Sequence, residues 1–270
     1  MPELPEVETI VRGLRKTILG KRIKEVKFLC PGIVKQSSVS FICQTVGQKV
    51  KDIKRRGKNI VICLSQDNAI LVHLGMSGHL LYLCPDRKVD KHDHIIFRFL
   101  GDVKELRYND PRKFGKMRFV DLKTCPDLDK LGPEPMEISE KEFVDLMRKR
   151  KGRVKSVLLN QKVLAGIGNI YADEVLFEAG INPLKKIDQI NTVKLRGLRK
   201  SIGKILAKAM RTGGSSIRTY TDLSRKMGRF QLSHKVYGRE GKPCKRCGVK
   251  IKRIVINQRS SYFCPRCQKP

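Results

Sequence analysis

Apolar residues recur at two different periods along this 270-residue chain. Near the N-terminus Val7, Ile10, Val11 and Leu14 fall three and four positions apart and Gly20 follows, which predicts a helix within residues 1–20. From residue 21 to about 122 the pattern is that of strands. IVICL (60–64), AILVHL (69–74), HIIFRFL (94–100) and KMRFVDL (116–122) are β-branched and aromatic, with turn residues between them. So many short strands bury their apolar faces most simply as two packed layers. Three prolines in TCPDLDKLGPEPM (124–136) mark a linker. Beyond it the period lengthens to that of helices. SEKEFVDLMRKR opens with a Ser139-to-Glu142 capping box and sets Phe143, Leu146 and Met147 on one face. YADEVLFEAG (171–180) and VKLRGLRKSIGKILAKAM (193–210) read as two further helices. Residues 213–235, rich in Gly, Ser, Thr and Lys, predict a mobile loop. The expected organisation is an α+β multidomain chain: a β domain at 1–124, a linker at 125–138, a helical domain at 139–235 whose loop covers about 215–235, and a cysteine-bearing unit at 236–270.

Charge changes the picture most. Fifty-eight Lys and Arg against 26 Asp and Glu give a formal +32 and a pI near 10.1, which points to a polyanionic partner, nucleic acid above all. No apolar run approaches the ~20 residues that span a bilayer. The N-terminus lacks the charged-then-apolar pattern of a signal peptide, so the reading is of a soluble intracellular protein. Nine cysteines in that setting are not expected to form a disulfide framework. Cys30, Cys43, Cys63, Cys84 and Cys125 are scattered and read as buried thiols. Cys244-x2-Cys247 and Cys264-x2-Cys267 have the four-cysteine spacing of a zinc site. Four thiolates leave no position open for water, so one structural zinc ion is expected.

The chain opens MPELPEVET. Removal of Met1 would leave Pro2 as a secondary amine beside Glu3 and Glu6. Such an amine can attack an electrophilic carbon and form a Schiff base. An α-amino group has a pKa of ~7.7–8.0 against ~10.4 for lysine, so far more of it is neutral at pH 7. The same residues also suit a plain helix start, with acids favoured by the dipole and Pro5 near the first turn. Other motifs are equally two-sided when taken alone. Lys58 in KRRGKN (54–59) is either solvated or turned to a phosphate. Asn169 in AGIGNIYADE (165–174) stands at a helix N-terminus able to bind phosphate. Arg259 between the cysteine pairs is a groove-entering or a solvated arginine. Met76 in HLGMSGHL with Arg112 and Phe114 in YNDPRKFGK are the residue types that fill a gap in a base stack, although ordinary core packing is the better local reading of Met76 and Phe114.

Taken together and in order, MPELPEVET, RRGKN, LVHLGMSG, NDPRKFG, GIGNIYADE, VYGREGKPC and FCPRCQ resemble bacterial formamidopyrimidine-DNA glycosylases over nearly the whole chain. The resemblance implies an N-terminal β-sandwich with flanking helices, a helix-two-turn-helix domain and a C-terminal zinc finger. It implies a bifunctional DNA glycosylase and abasic-site lyase of base excision repair that removes oxidised purines from duplex DNA. Pro2 would be the nucleophile, Glu3 the acid and base, Glu6 a supporting carboxylate, and Lys58 a phosphate contact that assists strand cleavage. Met76, Arg112 and Phe114 would fill the void, with Arg112 facing the orphaned cytosine. His73, Arg112, Lys155, Asn169 and Arg259 would contact DNA. Glu6, Met76, Glu174, Ile217, Arg218, Thr219 and Tyr220 would line the lesion pocket. The implied partner is damaged double-stranded DNA, met by a monomer in the bacterial cytoplasm at the nucleoid, with no membrane and no nucleotide cofactor. The chain departs from the family pattern at Thr219, where an acid is usual, at Arg225 and His234, where Gly and Leu are, and at Asn160, where Asp is. These departures bear on lesion ranking. An endonuclease VIII-like reading is opposed by Leu4 and the Arg112/Phe114 pair. A non-catalytic zinc-finger protein is opposed by Pro2, Glu3 and Lys58.

Overall fold

The computed structural model describes residues 1–30, 33–34, 36–217 and 219–269. The chain forms two compact units, Met1–Asp129 with Gly213–Arg229, and Lys130–Thr212 with Phe230–Pro270.

The first unit begins with helix α1 (Leu4–Ile18), whose Val7, Ile10, Val11, Leu14 and Ile18 are all buried. The strands β1 (Ile23–Phe28), β2 (Asp52–Arg56), β3 (Asn59–Cys63), β4 (Asn68–His73), β5 (His79–Leu83), β6 (Asp93–Phe99), β7 (Glu105–Asn109) and β8 (Lys116–Asp121) follow, with helices α2 (Ser38–Thr45) and α3 (Pro126–Asp129). They make two four-stranded antiparallel sheets, in the orders β1-β6-β7-β5 and β2-β3-β4-β8. One core joins both sheets and α1: Ile60, Ile62, Ile70 and Val72 from one sheet meet Val26, Leu80, Phe97 and Leu106 from the other. This is the expected β-sandwich. Strand β3 is apolar without alternation because its other face is also covered. Val61 and Cys63 pack there with Ala69, Leu71 and Cys125. Strand β7 carries charge inside instead. Arg107, 1% exposed, donates to Glu105 Oε1 at 2.7 Å, Asp93 Oδ2 at 3.3 Å and the Arg87 carbonyl at 2.7 Å, a network that no hydrophobic pattern announces.

Residues 213–229 belong to this unit and not to the helical one with which the sequence grouped 215–235. Tyr220 and Leu223 are buried in the sandwich core. The Ser215 N–H donates to Glu6 Oε1 at 2.7 Å, the Tyr220 hydroxyl to the Glu6 carbonyl at 3.3 Å, and the Tyr82 N–H to the Leu223 carbonyl at 3.0 Å. Glycine at position 13 leaves the recess that Leu223 fills, since a Cβ there would lie 2.8 Å from Leu223 Cδ1. Two apolar anchors in a polar stretch tie it down, which average composition concealed.

In the second unit α5 (Val154–Leu159) and α7 (Thr192–Arg211) pack on the almost wholly buried α6 (Asn169–Glu178), and α4 (Glu140–Arg148) packs on α7. The capping box forms as read: Glu142 N–H donates to Ser139 Oγ at 3.2 Å and Ser139 N–H to Glu142 Oε2 at 2.9 Å. The hairpin β9 (Lys252–Ile256) and β10 (Arg259–Phe263) turns through Asn257 and Gln258, both at positive φ (46° and 60°). That is the two-residue turn whose twist suits a hairpin.

Candidate active site and nucleic-acid interface

The N-terminal tip is built into the first unit. Pro2 is buried, and Glu3 and Glu6 are 4% and 1% exposed. Glu6 Oε2 accepts the Glu3 N–H at 2.8 Å, while Glu6 Oε1 takes Ser215 N–H. One buried carboxylate thus joins the start of α1 to the 213–229 segment. Gly214 (φ +80°) allows that approach, because a Cβ there would lie 2.6 Å from Glu6 Oε1. Farther along α1, Glu8 Oε2 accepts from Arg55 Nε at 3.1 Å, and Arg55 Nη1 donates to the Gly57 carbonyl at 3.3 Å. This relay ties the helix to the two-residue β2–β3 turn that presents Lys58. Lys58 is 8% exposed, so it is not a solvated cation. His73 stands in the same charged neighbourhood. Burial, then Lys58 and Lys116, push its pKa down to about 4, and the neutral ring accepts Gly75 N–H at Nδ1, 3.2 Å away.

Met76, Arg112 and Phe114 come together and stand out of the core. Met76 is 40% and Phe114 51% exposed, against the core packing that local sequence favoured. The Arg112 guanidinium lies 4.6 Å from the Phe114 ring centre, and its Nη1 is 3.9 Å from Met76 Sδ. Buried Asp110 organises this loop, and residue patterning did not single it out. Its carboxylate accepts from Ser77 Oγ at 2.6 Å, Gly115 N–H at 2.8 Å and Arg112 N–H at 3.2 Å. Asp followed by Pro111 is a turn signal that would have flagged it. Of the expected pocket residues on the 213–229 segment, Ile217 is 46% exposed and Tyr220 is buried. The Thr219 carbonyl is 2.6 Å from His79 Nε2. Arg218 lies outside the described residues.

In the second unit Asn169 is the first residue of α6, and its Nδ2 donates to the Ser260 carbonyl at 2.9 Å, beside exposed Arg259 at the start of β10. Two expectations are corrected here. Lys155, expected to touch DNA, is fully buried. Its Nζ binds Asp173 Oδ1 at 2.7 Å, Ser261 Oγ at 2.7 Å and the same Ser260 carbonyl at 3.0 Å. It therefore braces the hairpin from behind. Burial pushes the Asp173 carboxyl up to about 7, against the pull of Lys155. Lys155→Ala leaves that carboxyl buried without its cation, so chemical denaturation should show a loss of about 3–5 kcal/mol. Glu174, expected in the lesion pocket, is 1% exposed. Its oxygens accept the N–H groups of Lys235, Val236 and Tyr237 at 2.9–3.0 Å, which uses its acceptor capacity on the chain itself.

His234 sits between Phe230 and Tyr237, ring centres 5.4 and 5.7 Å away. Desolvation first, with Lys245 and Arg239 adding to it, lowers its pKa to about 4. Between about pH 6.5 and 4 the unfolded chain takes a proton that the folded ring refuses. The stability contributed by neutral His234 is complete above that window and lost as pH falls through it. Thermal melts across the window should show His234→Phe relieving about 2–3 kcal/mol of the acid destabilisation.

Cys244, Cys247, Cys264 and Cys267 present four sulfurs within 4.8 Å of one another. The pairs Cys247–Cys264 and Cys244–Cys267 are 3.4 and 3.9 Å apart. A tetrahedron with Zn–S of ~2.3 Å has edges of about 3.8 Å, so the four fit one structural zinc.

The sandwich with its buried N-terminal tip, the helical unit and the four-cysteine hairpin define a class of zinc-finger, DNA-directed proteins. The pattern described as the formamidopyrimidine-DNA glycosylase N-terminal domain matches residues 1–117, its H2TH domain 131–221, and the zinc finger found in FPG and IleRS 241–270. The formamidopyrimidine-DNA glycosylases of Ligilactobacillus salivarius and Solibacter usitatus are each 43% identical, covering 99% and 100% of both chains. A Lactococcus lactis FPG variant complexed with DNA containing Fapy-dG superposes with a TM-score of 0.92 at 38% identity over 100% of both chains. MutM in complex with DNA containing carbocyclic 8-oxo-G gives 0.91 at 36%, over 100% of both. The chain belongs to the formamidopyrimidine-DNA glycosylase family. No helix among the described residues is long and apolar enough to cross a membrane.

Proposed function

We propose that this chain excises oxidised purines from duplex DNA and then cleaves the strand, with the amine of Pro2 as nucleophile. The observation that carries the reading is the buried tip, where Pro2, Glu3 and Glu6 are held at the head of α1 and the Arg55 relay leads to the Lys58 turn.

A base stacked in a duplex hides its glycosidic bond, so the nucleotide must first be flipped out, at a cost of a few kcal/mol that damage reduces. The exposed Met76, Arg112 and Phe114 enter the gap and offset part of that cost. The Pro2 nitrogen then attacks the sugar carbon C1′ and the damaged base leaves with a proton. Glu3 protonates the ring oxygen, the sugar opens, and an iminium forms between Pro2 and C1′. Successive loss of the 3′ and 5′ phosphates by elimination releases the sugar fragment, and hydrolysis frees the amine. Lys58 holds a phosphate beside the lesion, where its charge favours the leaving phosphate. Glu6 does not transfer protons in this scheme, because both its oxygens are committed to Glu3 and Ser215 N–H groups. It holds the tip in place. Asn169 and Arg259 contribute phosphate contacts.

The deciding test is borohydride trapping on three duplexes carrying 8-oxoguanine, a ring-opened purine or an oxidised pyrimidine. Covalent adducts on the two purine duplexes are expected. Adducts on the pyrimidine duplex alone would reassign the substrate, and no adduct on any duplex would refute the amine chemistry.

A further inference from the structure

Met76 is tied on both sides to the loop that carries Arg112. Ser77 Oγ and Arg112 N–H donate to the same oxygen of buried Asp110, at 2.6 and 3.2 Å. On the other side Gly75 (φ +62°) lies so close to the Phe114 backbone that a Cβ would stand 2.6 Å from its carbonyl carbon. Two turns 36 positions apart are thereby fixed to each other. The fixed turns set a defined approach. Arg112 Nη1 stands 3.9 Å from Met76 Sδ, while the guanidinium stacks 4.6 Å from the Phe114 ring centre. A thioether is a weak acceptor, so the sulfur holds Arg112 only weakly.

The same sulfur is open to solvent. Apart from Met1, Met117 and Met147 are buried and Met136 and Met210 half-buried, which leaves Met76 (40% exposed) and Met227 (62%) as the accessible methionines. Met227 has the greater exposure, but Met76 has its sulfur facing a fixed cation. Oxidation of methionine turns an apolar, flexible side chain into a polar, chiral one, and reductases reverse it.

We infer that Met76 is an oxidation-sensitive site through which hydrogen peroxide disables the void-filling group. The sulfur lone pair attacks one peroxide oxygen and the O–O bond breaks. That oxygen stays on Sδ, and the other leaves as water with both protons. Sulfur is oxidised by two electrons and the peroxide is reduced by two. The sulfoxide oxygen is a far better acceptor than the thioether it replaces. From Sδ it reaches Nη1 at the ~2.7–2.9 Å of a charge-assisted hydrogen bond with neither turn moving. Two effects follow. A polar group now has to be desolvated to enter the base stack. Arg112 is also held by its own neighbour and is less available to the facing base. The consequence for excision rests on the glycosylase reading above; the oxidation does not.

The test takes the whole zinc-loaded protein through a hydrogen peroxide series. Peptide mass spectrometry scores sulfoxide at Met76 and Met227, and metal analysis restricts the series to doses that retain zinc. Excision from an 8-oxoguanine duplex should fall in step with Met76 sulfoxide. At full conversion the loss should be about 10- to 100-fold, the factor by which burying one apolar side chain shifts an equilibrium. Borohydride trapping on a single-stranded abasic oligonucleotide, which has no stack to fill, should stay constant. Methionine sulfoxide reductase should restore excision. Met227→Leu should lose activity as the wild type does. In Met76→Leu, whatever its untreated rate, the ratio of treated to untreated rate should stay near one. The inference is overturned by Met76 staying reduced at doses that oxidise Met227, by unchanged excision at full Met76 sulfoxide, or by an equal loss in Met76→Leu. If Met76→Leu is too slow to measure, the wild-type series and its reversal by the reductase decide. Untreated wild type that neither excises nor traps would instead refute the glycosylase reading, and mass spectrometry would still score the oxidation.

Discussion

Protein that keeps Met1 should form no borohydride-stable adduct with lesion-bearing or abasic DNA, while the processed chain should form one. Acylation by Met1 turns the Pro2 nitrogen into a tertiary amide, with its lone pair delocalised into the carbonyl and no proton cycle to run. The rest of the tip offers no substitute. The Glu3 N–H is an amide already bonded to Glu6, and an amide nitrogen has no free lone pair with which to attack. Expression with methionine aminopeptidase inhibited, with mass spectrometry to confirm the retained residue, gives the comparison. Trapping should drop to background while duplex affinity changes little, because Met1 is 49% exposed and the phosphate contacts proposed above lie elsewhere. Full trapping with Met1 in place would remove Pro2 from the mechanism.

Zinc removal has the second largest effect, and it reaches farther than the four ligands. The hairpin they hold presents Arg259. It also supplies the Ser260 carbonyl that Lys155 and Asn169 share, the Ser261 hydroxyl, and the Tyr262 N–H that Asp173 accepts at 3.0 Å. Apparent zinc-binding energies of ~10–16 kcal/mol are folding energies for units this small. Without the ion the hairpin opens, Arg259 loses its position and the Lys155–Asp173 pair loses partners it cannot replace. A single charge-assisted phosphate bond is worth ~1.5–3 kcal/mol, so duplex affinity should fall ~10- to 100-fold in protein shown by metal analysis to be zinc-free. Unchanged affinity would mean that the finger does not contact DNA. Trapping on a short single-stranded abasic oligonucleotide should survive, since the proposed nucleophile Pro2 lies in the other unit.

Elements came through in the sequence where burial is one-sided or complete. The stripe on α1 and the apolar runs of β3, β4, β6 and β8 were visible because neighbouring residues share an environment. Strands β1, β2 and β7 were not, because charged residues interrupt them, and β5 was not, because it follows directly on the glycine-broken loop at 75–78. In β7 those charges are inside, satisfied by a network whose members lie up to 20 positions apart. Residues 213–229 read as a mobile loop because only Tyr220 and Leu223, among many small polar residues, tell of the core they enter. Lys155 and Glu174 were misread for a related reason. A charged residue in a motif looks available for a ligand until its partners are known, and theirs come from 105 and 61 positions away.

The residue types and spacings alone determined that this chain has a four-cysteine metal site and a charge suited to nucleic acid, and that Pro2 stands next to Glu3 with Glu6 close behind. Those depend on covalent chemistry and local periodicity, which do not need a fold. Only the tertiary structure decided that Lys58 is buried while Met76 and Phe114 are exposed, and that Glu6, expected to support the site, does so by joining the start of α1 to the 213–229 segment. Exposure and pairing are properties of what packs against a side chain. Here the packing partners come from distant parts of the chain.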